Sequence, residues 1–495
     1  MMQSRVKVLT LLSLASFVAA ACTSEKVVYR DGPNYATPVA SAASFVGYSD
    51  EASKKTVCGS CHVEKQAAWQ TTKHANAWTD LTASGSAAAY CNACHTVGSL
   101  GNASTDSLAG YGSTKDARYH DVQCESCHGA GLTHISGPNA SNYPLASIKA
   151  DTGLKNGCGE CHTGVHSPFL DEWRKSGHSQ THLVTATVQT NTACQPCHVA
   201  QGILPAWGMT ANYVEKAAGS PALPAVCAVC HEPHGSAYDK QLRFGLNAAT
   251  LGDNLCMKCH QRRSVPDTTG NSGAHSPEGP TLVGTAGWFP PGMSASDSIY
   301  GTHANLAKNP TLCAGCHVQR FTVTDKATGK FVFQETGHRF LATPCVDANG
   351  ATTDSQTCAV TSQTFRSCAV SGCHGSETAA RSSFLTAQAR IAADTVEARR
   401  LVNLVKLGAK KADCTATTGA YNSCRGTNFN ITLAEKPGAY VHNPFLIEQL
   451  LLGSIRALKA DYGVTSPPSF DMTPALIPQN RQSAALFNNP FGGSK

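Results

Sequence analysis

Helical periodicity is clearest in the last quarter of this chain. From about Ser382 the apolar pattern predicts long helices over Phe384–Leu407 and from Pro444 to about Tyr462. The second has Asn443 at the cap, Pro444 at the first helical position, and Leu446, Leu450, Ile455 and Leu458 on its apolar side. After Gly463 the sequence turns Pro- and Asn-rich, and an extended surface tail is expected. At the other end, Arg5 and Lys7 precede an apolar run from Val8 to Phe17 and then Val18-Ala-Ala-Ala-Cys22, the pattern of a signal peptide over residues 1–21. Past that leader no apolar run reaches eighteen residues, so no membrane-spanning helix is expected. Residues 22–50 are polar, small and Pro-containing and read as a tether.

Composition changes this picture. A chain of 495 residues suggests about three domains. Aromatic residues are only 7%, and Gly, Ala, Ser and Thr are abundant, so the apolar material for such cores is thin. The expected fold is mostly α with extensive loops, little β structure and a minimal apolar core.

The missing apolar volume has a candidate source. Cys-x-x-Cys-His occurs eight times: Cys58/Cys61/His62, Cys91/Cys94/His95, Cys124/Cys127/His128, Cys158/Cys161/His162, Cys194/Cys197/His198, Cys227/Cys230/His231, Cys256/Cys259/His260 and Cys313/Cys316/His317. A ninth, stretched copy runs Cys368-Ala-Val-Ser-Gly-Cys373-His374. Chance would supply roughly 0.04 copies at this composition. The spacing is that of covalent c-type haem attachment: two thiols bind the vinyl groups and the histidine reaches the iron from one face. Zinc sites pair Cys-x-x-Cys with a second, distant pair and do not call for a histidine after each one. Nine covalently bound haem c groups are therefore expected, with the polypeptide as a thin coat around them.

The first seven motifs begin 33, 33, 34, 36, 33 and 29 residues apart, a repeat signature. The expected organisation is a seven-haem repeat region over 51–265, a Pro/Gly-rich junction over 266–310, a two-haem region over 311–380, and a helical region over 381–495 that supplies a distal ligand.

Nine histidines belong to the motifs and eleven do not: His74, His120, His134, His166, His178, His182, His234, His275, His303, His338 and His442. Nine irons need nine second ligands. The mature chain offers only Met209, Met257, Met293 and Met472 as alternatives, so bis-histidine ligation and low potentials are expected. His74, His134, His178, His234, His303, His338 and His442 are the chosen distal candidates. His234 lies three residues beyond His231, and a chain reaching at most about 3.5 Å per residue cannot pass around a porphyrin edge in that span. His234 must therefore serve a different iron, and the same holds for His134 after His128 and for His166 after His162. Trp69-x4-His74 and Trp173-x4-His178 repeat one pattern, which on a helix would set each indole beside an imidazole or a porphyrin face.

The remaining cysteines and the charge refine the setting. Cys22 sits where a lipobox places a lipidated residue, although Ala19 stands where Leu is usual. Thr23, not Asp, follows it, which fits sorting to the outer membrane. Cys345, Cys358, Cys414 and Cys424 lie outside the motifs. Disulfides Cys345–Cys358 and Cys414–Cys424 are the simplest arrangement in an exported chain. The other is a long-spaced haem site using Cys358 and Cys373, with Cys368 in the disulfide. The formal charge is +6. Two propionates on each of nine haems would bring the holoprotein to about −12, which argues against a nucleic-acid partner.

Cys124-Glu-Ser-Cys-His-Gly-Ala-Gly-Leu-Thr-His134, Cys227-Ala-Val-Cys-His-Glu-Pro-His-Gly235 and Cys58-Gly-Ser-Cys-His-x6-Trp69-x4-His74 resemble periplasmic multihaem electron-transfer cytochromes, over residues 50 to 260. The nearest type is the decahaem family that feeds outer-membrane electron conduits. Gly-Ala-Tyr-Val-His442-Asn-Pro before an apolar helix resembles the distal-ligand helix of pentahaem nitrite reductases, which implies that His442 is a distal ligand. As a whole the chain is similar to outer-membrane multihaem lipoproteins. The resemblance implies electron transfer to redox partner proteins or external acceptors. A reductase of nitrite, hydroxylamine or sulfur oxyanions with one open haem, or a subunit of a conducting filament, are the alternatives. Nitrite reductases of that type usually carry Lys in place of one motif histidine, and all nine sites here have His.

Overall fold

The computed structural model describes residues 44–476 apart from 140, 151–156, 181–184, 249, 270–271, 298, 356 and 371. The leader, Cys22, most of the tether and His182 lie outside the described residues.

The fold is mostly helical with long loops, and its only sheets among the described residues are two antiparallel hairpins. One pairs Tyr48–Asp50 with Lys55–Thr56, the other Phe321–Thr324 with Phe331–Glu335. Up to Cys373 the helices are short, and many start on a motif cysteine: Cys58–Ser60, Cys124–His128, Cys158–Glu160, Cys227–Cys230 and Cys313–His317. One helical turn suits the motif because residues three apart share a face, which gathers both thiols on one side. The His62, His162, His198, His231 and His260 amides donate to the carbonyl of the first cysteine of their own motif at 3.0–3.2 Å. In the stretched copy the His374 amide reaches back to the Cys368 carbonyl at 3.2 Å, so the two extra residues loop out and the same closure is kept. Gly372 makes this loop with φ +84°, a conformation that costs other residues strain.

The apolar core is thin over the motif region and conventional at the C-terminus. Helices Glu377–Leu407, Ser423–Ala434 and Pro444–Tyr462 pack together around Leu401, Leu433, Leu446, Leu451, Ile455 and Leu458, all fully buried. The Pro444–Tyr462 helix starts as its sequence predicts: the Asn443 side chain accepts from the Leu446 amide, and Gly463 closes the far end in the left-handed region. No helix among the described residues is long and apolar enough to cross a membrane. The Pro/Gly-rich stretch lies across this bundle. Trp288 exchanges two hydrogen bonds with the Asn430 side chain, and a Cβ on Gly426 would meet its indole at 2.0 Å. Disulfides join Cys345 to Cys358 and Cys414 to Cys424, which leaves Cys368 and Cys373 together in the ninth motif.

One buried carboxylate in the bundle carries a pH signature. Asp394 is fully buried, and neither of its oxygens has a hydrogen-bond partner. Arg390 stands 3.3 Å away but points its Nε at Glu448, 2.7 Å distant. Burial pushes the Asp394 carboxyl up to about 7, with Arg390 opposing and Glu448 adding to the rise. An acid raised in the folded state gives its stability at low pH: in full below its unfolded value near 4, and lost as pH climbs through 7. The urea midpoint of the C-terminal helices is expected to fall between pH 5 and 8. Asp394→Asn should flatten that slope, removing on the order of 2 kcal/mol of pH dependence. An unchanged slope in the variant would discard this assignment.

Where apolar packing is thin, buried carboxylates tie distant segments together. Glu125, inside the third motif, accepts from the amides of Val46, Gly47 and Gly131 at 2.7–3.0 Å. Glu215 accepts from the Ile148 amide at 3.0 Å and from the Ser147 hydroxyl. Glu172 accepts from Thr336 and His338. Buried donors left without acceptors cost about 1–3 kcal/mol each. Glu125→Gln turns an amide NH2 toward backbone N–H groups, so it should destabilise the first motifs by about 2–4 kcal/mol, read as a lower denaturant midpoint. A midpoint equal to the parent's would show that the three amides have other acceptors.

Candidate haem-ligand array

One continuous cavity of about 5640 Å³ runs through the motif region. Its wall carries all eighteen motif cysteines and all nine motif histidines, with His74, His134, His166, His178, His234, His275, His303, His338 and His442. Divided among nine motifs the volume falls within the size range of pockets for large ligands, about 300–1,000 Å³ each. The cysteines are spread along this wall; among the described residues no three or more Cys, His, Asp or Glu converge as a metal cluster.

The histidines face one another in pairs. His62 stands opposite His134 at 6.4 Å between ring centroids, His74 opposite His162 at 6.0 Å, and His128 opposite His234 at 6.0 Å. His178 faces His260 at 6.2 Å, His198 faces His275 at 6.1 Å, and His231 faces His338 at 6.3 Å. His303 faces His374 at 6.1 Å and His317 faces His442 at 6.2 Å. Each pair joins one motif histidine to one from elsewhere in the chain. Two imidazoles bound to opposite sides of one metal ion would be separated by about 6 Å, from metal–nitrogen bonds of about 2 Å and a similar allowance for the rings. The residues present therefore fit haem held by two thioethers and two imidazoles.

Each of the seven distal candidates stands opposite a motif imidazole, and none opposite that of the segment it follows. His275 is the eighth such residue, and sequence reasoning did not choose it. Its signal was its offset: it follows His260 by 15 residues, much as His178 follows His162 by 16. His120 lies elsewhere, stacked on Trp78 at 4.1 Å with its Nδ1 2.8 Å from Glu51. His95 donates from Nδ1 to the Ala77 carbonyl at 2.9 Å, and among the described residues no imidazole stands opposite it. His166 lines the cavity without facing a motif histidine.

Burial makes several of these rings neutral, the form that binds a metal. It pushes His74, His178, His338 and His442 down to about 4, with the facing imidazole adding to the effect. His260 moves the other way because its Nδ1 is hydrogen-bonded to Glu278.

Both tryptophans line the cavity, and their indoles also hold backbone carbonyls. The helix Val63–Gln70 ends between Trp69 and His74, and Phe169–Arg174 ends between Trp173 and His178. The Trp69 indole N–H donates to the Val122 carbonyl at 2.9 Å, and Trp173 to the Ala225 carbonyl at 2.9 Å. Each receiving carbonyl lies two residues before a motif, the third and the sixth.

That correspondence marks a larger repeat of three motifs. First cysteines approach one another as Cys58 with Cys124, Cys158 with Cys227, and Cys256 with Cys313. Second cysteines meet as Cys94 with Cys161 and Cys197 with Cys259. Cys127 lies close to Cys158, Cys230 to Cys259, and Cys316 to both Cys368 and Cys373.

Two family models match parts of the chain: a doubled CXXCH motif over residues 220–264, and cytochrome c554 and c-prime over residues 57–129. No curated protein and no solved structure matches it.

Proposed function

We propose that this chain, a multihaem c-type cytochrome with covalently bound haem and an electron-transfer role, carries electrons along nine haem sites at the bacterial outer membrane. The observation that carries this reading is the set of eight facing imidazole pairs at 6.0–6.4 Å along one cavity. Haem, when bound, supplies reversible one-electron chemistry; the protein contributes position, exclusion of water and tuning of potential.

The thiol contacts support an order. Numbered by motif, sites 1, 3, 4, 6, 7, 8 and 9 form a continuous row, with site 2 beside site 4 and site 5 beside site 7. Sites 1 and 9 are then the ends at which redox partner proteins or an external acceptor would exchange electrons. A lipid on Cys22 would hold the site 1 end at the membrane through a tether that ends before residue 44, since Phe45 and Val46 are buried and Tyr48–Asp50 form a strand of the folded part. Protease treatment of intact cells tests exposure: loss of the protein from intact cells places it on the outer face, and protection places it in the periplasm.

The second reading is a reductase with one iron left open; His95 has no facing imidazole among the described residues, and His182 lies outside them. Small oxidised nitrogen or sulfur species are the substrate class for an open iron there. Resting-state EPR decides. A purely low-spin ferric spectrum supports the electron carrier. One high-spin signal of about a ninth of the iron, lost on adding cyanide, supports the reductase.

A further inference from the structure

Nδ1 of a ligating histidine is where a protein adjusts its metal, because the acceptor it meets sets how strongly the ring donates. Several of the paired histidines here meet neutral oxygens. His128 donates to the Pro144 carbonyl at 2.7 Å, His231 to Lys240 at 2.9 Å, His317 to Phe340 at 2.9 Å and His303 to Val441 at 2.8 Å.

Among the paired histidines, two meet a carboxylate. Nδ1 of His260 is 3.1 Å from Oε2 of Glu278, and Nδ1 of His234 is 2.9 Å from Oε1 of Glu232. The two carboxylates differ in their other partners. Glu232 is paired with Arg243, a mostly buried guanidinium that draws on the same charge. Among the described residues Glu278 has no Arg or Lys within ion-pair distance. Its placement is built in: the Gly279 amide donates to the His260 carbonyl at 2.9 Å, and a Cβ at Gly279 would meet that oxygen at 2.8 Å and Met257 at 2.9 Å. Glycine at 279 thus lets the Glu278 segment press against the motif.

We infer that Glu278 makes the iron held by His260 and His178 the last in the row to accept an electron, and that Glu232 does the same more weakly for the iron held by His128 and His234. A carboxylate acceptor pulls the Nδ1 proton and gives the ring imidazolate character. The stronger donor favours the ferric state and lowers that iron's potential. The His260 site is also one of two junctions of the row: its cysteines approach those of sites 5, 6 and 8, as those of site 4 approach sites 2, 3 and 6. The lowest potential therefore stands where the site 5 branch meets the row, and electrons held on either side of it are kept apart. This inference rests on the bis-histidine reading above.

The test is a spectropotentiometric titration of the full-length holoprotein, with haem count and EPR on the same samples. Glu278→Gln keeps an amide oxygen to accept from Nδ1 and removes only the charge. One haem should then move from the bottom of the titration by at least a tenfold change in its reduction constant, about 59 mV for one electron. Its low-spin g values should shift while the rest stay in place. Glu278→Asp should restore the parent titration. Glu232→Gln should move a different haem, and by less. A fully loaded, low-spin Glu278→Gln protein with an unmoved titration overturns the inference alone. A parent protein whose His260 site is high-spin or unloaded overturns the ligation reading beneath it.

Discussion

His442→Ala is expected to convert one low-spin iron to high-spin and leave the other sites as they are. His442 faces His317 at 6.2 Å, and three local features fix it there. Gly438 starts the turn with φ +77°, and a Cβ on it would meet the His442 ring at 2.9 Å. Asn443 is fully buried, and its side chain donates to the Thr281 and Ile299 carbonyls at 3.0 and 2.7 Å while capping the last helix. The preceding carbonyl, that of Val441, accepts from Nδ1 of His303, which faces His374. One dipeptide therefore supports two neighbouring sites. The alanine variant keeps the backbone and so keeps the His303 support. Its new high-spin signal should bind cyanide and amount to about a ninth of the iron. His442→Met should stay low-spin, with one potential raised, because thioether ligation favours the ferrous state. Site 8 lies between sites 7 and 9 in the row. An iron of raised potential there holds the electron, and stopped-flow reduction should show site 9 exchanging more slowly. A wholly low-spin His442→Ala spectrum would remove His442 from the ligand set.

The sequence made the attachment sites legible because the chemistry is local: two thiols and an imidazole on one helical turn. It also made seven facing histidines legible, since a shortage of methionine and a surplus of histidine leave few other ligands. Pitch misled. Spacing near 33 residues suggests a unit of one motif, but the thiol contacts and the Trp69 and Trp173 hydrogen bonds repeat every three motifs. Nothing in the spacing of cysteines records which of them meet in space. The supporting carboxylates were silent for a similar reason. Glu125, Glu172 and Glu278 act on backbone or ring atoms brought to them by the fold, and a glutamate with such a role reads like any surface glutamate. The Trp-x4-His pattern marks two cavity-lining indoles, but it does not show that the helix ends before His74 and lets the Trp69 indole hold a carbonyl 53 residues away. The C-terminal helices were the easiest part, being the one region where an apolar period, a cap and a real core coincide.

Glu172→Ala should open a different iron by a different route. Glu172 sits on the helix Phe169–Arg174, and its carboxylate holds a loop more than 160 residues downstream. Oε1 accepts from the Thr336 amide at 2.6 Å, and Oε2 accepts from the Thr336 hydroxyl at 2.8 Å and the His338 amide at 2.7 Å. His338 faces His231 at 6.3 Å and packs edge-on against Phe169 at 4.9 Å. Alanine leaves the buried amide and hydroxyl of Thr336 and the part-buried amide of His338 without their acceptor, a local cost of about 2–6 kcal/mol from the two buried donors. That is enough to let the loop open as a unit while the rest of the chain stays folded. His338 is then present but no longer held, so ligation at His231 becomes an equilibrium. The distinction from His442→Ala is thermal. Removing a ligand gives a high-spin signal of constant size at every temperature, whereas loosening its support gives one that grows on warming and reverses on cooling. Variable-temperature optical spectra of the ferric protein separate the two. Glu172→Gln, which keeps one acceptor oxygen, should fall between Ala and the parent. A Glu172→Ala protein that stays low-spin up to its unfolding temperature would show that Phe169 and the turn at Gly337 hold His338 unaided.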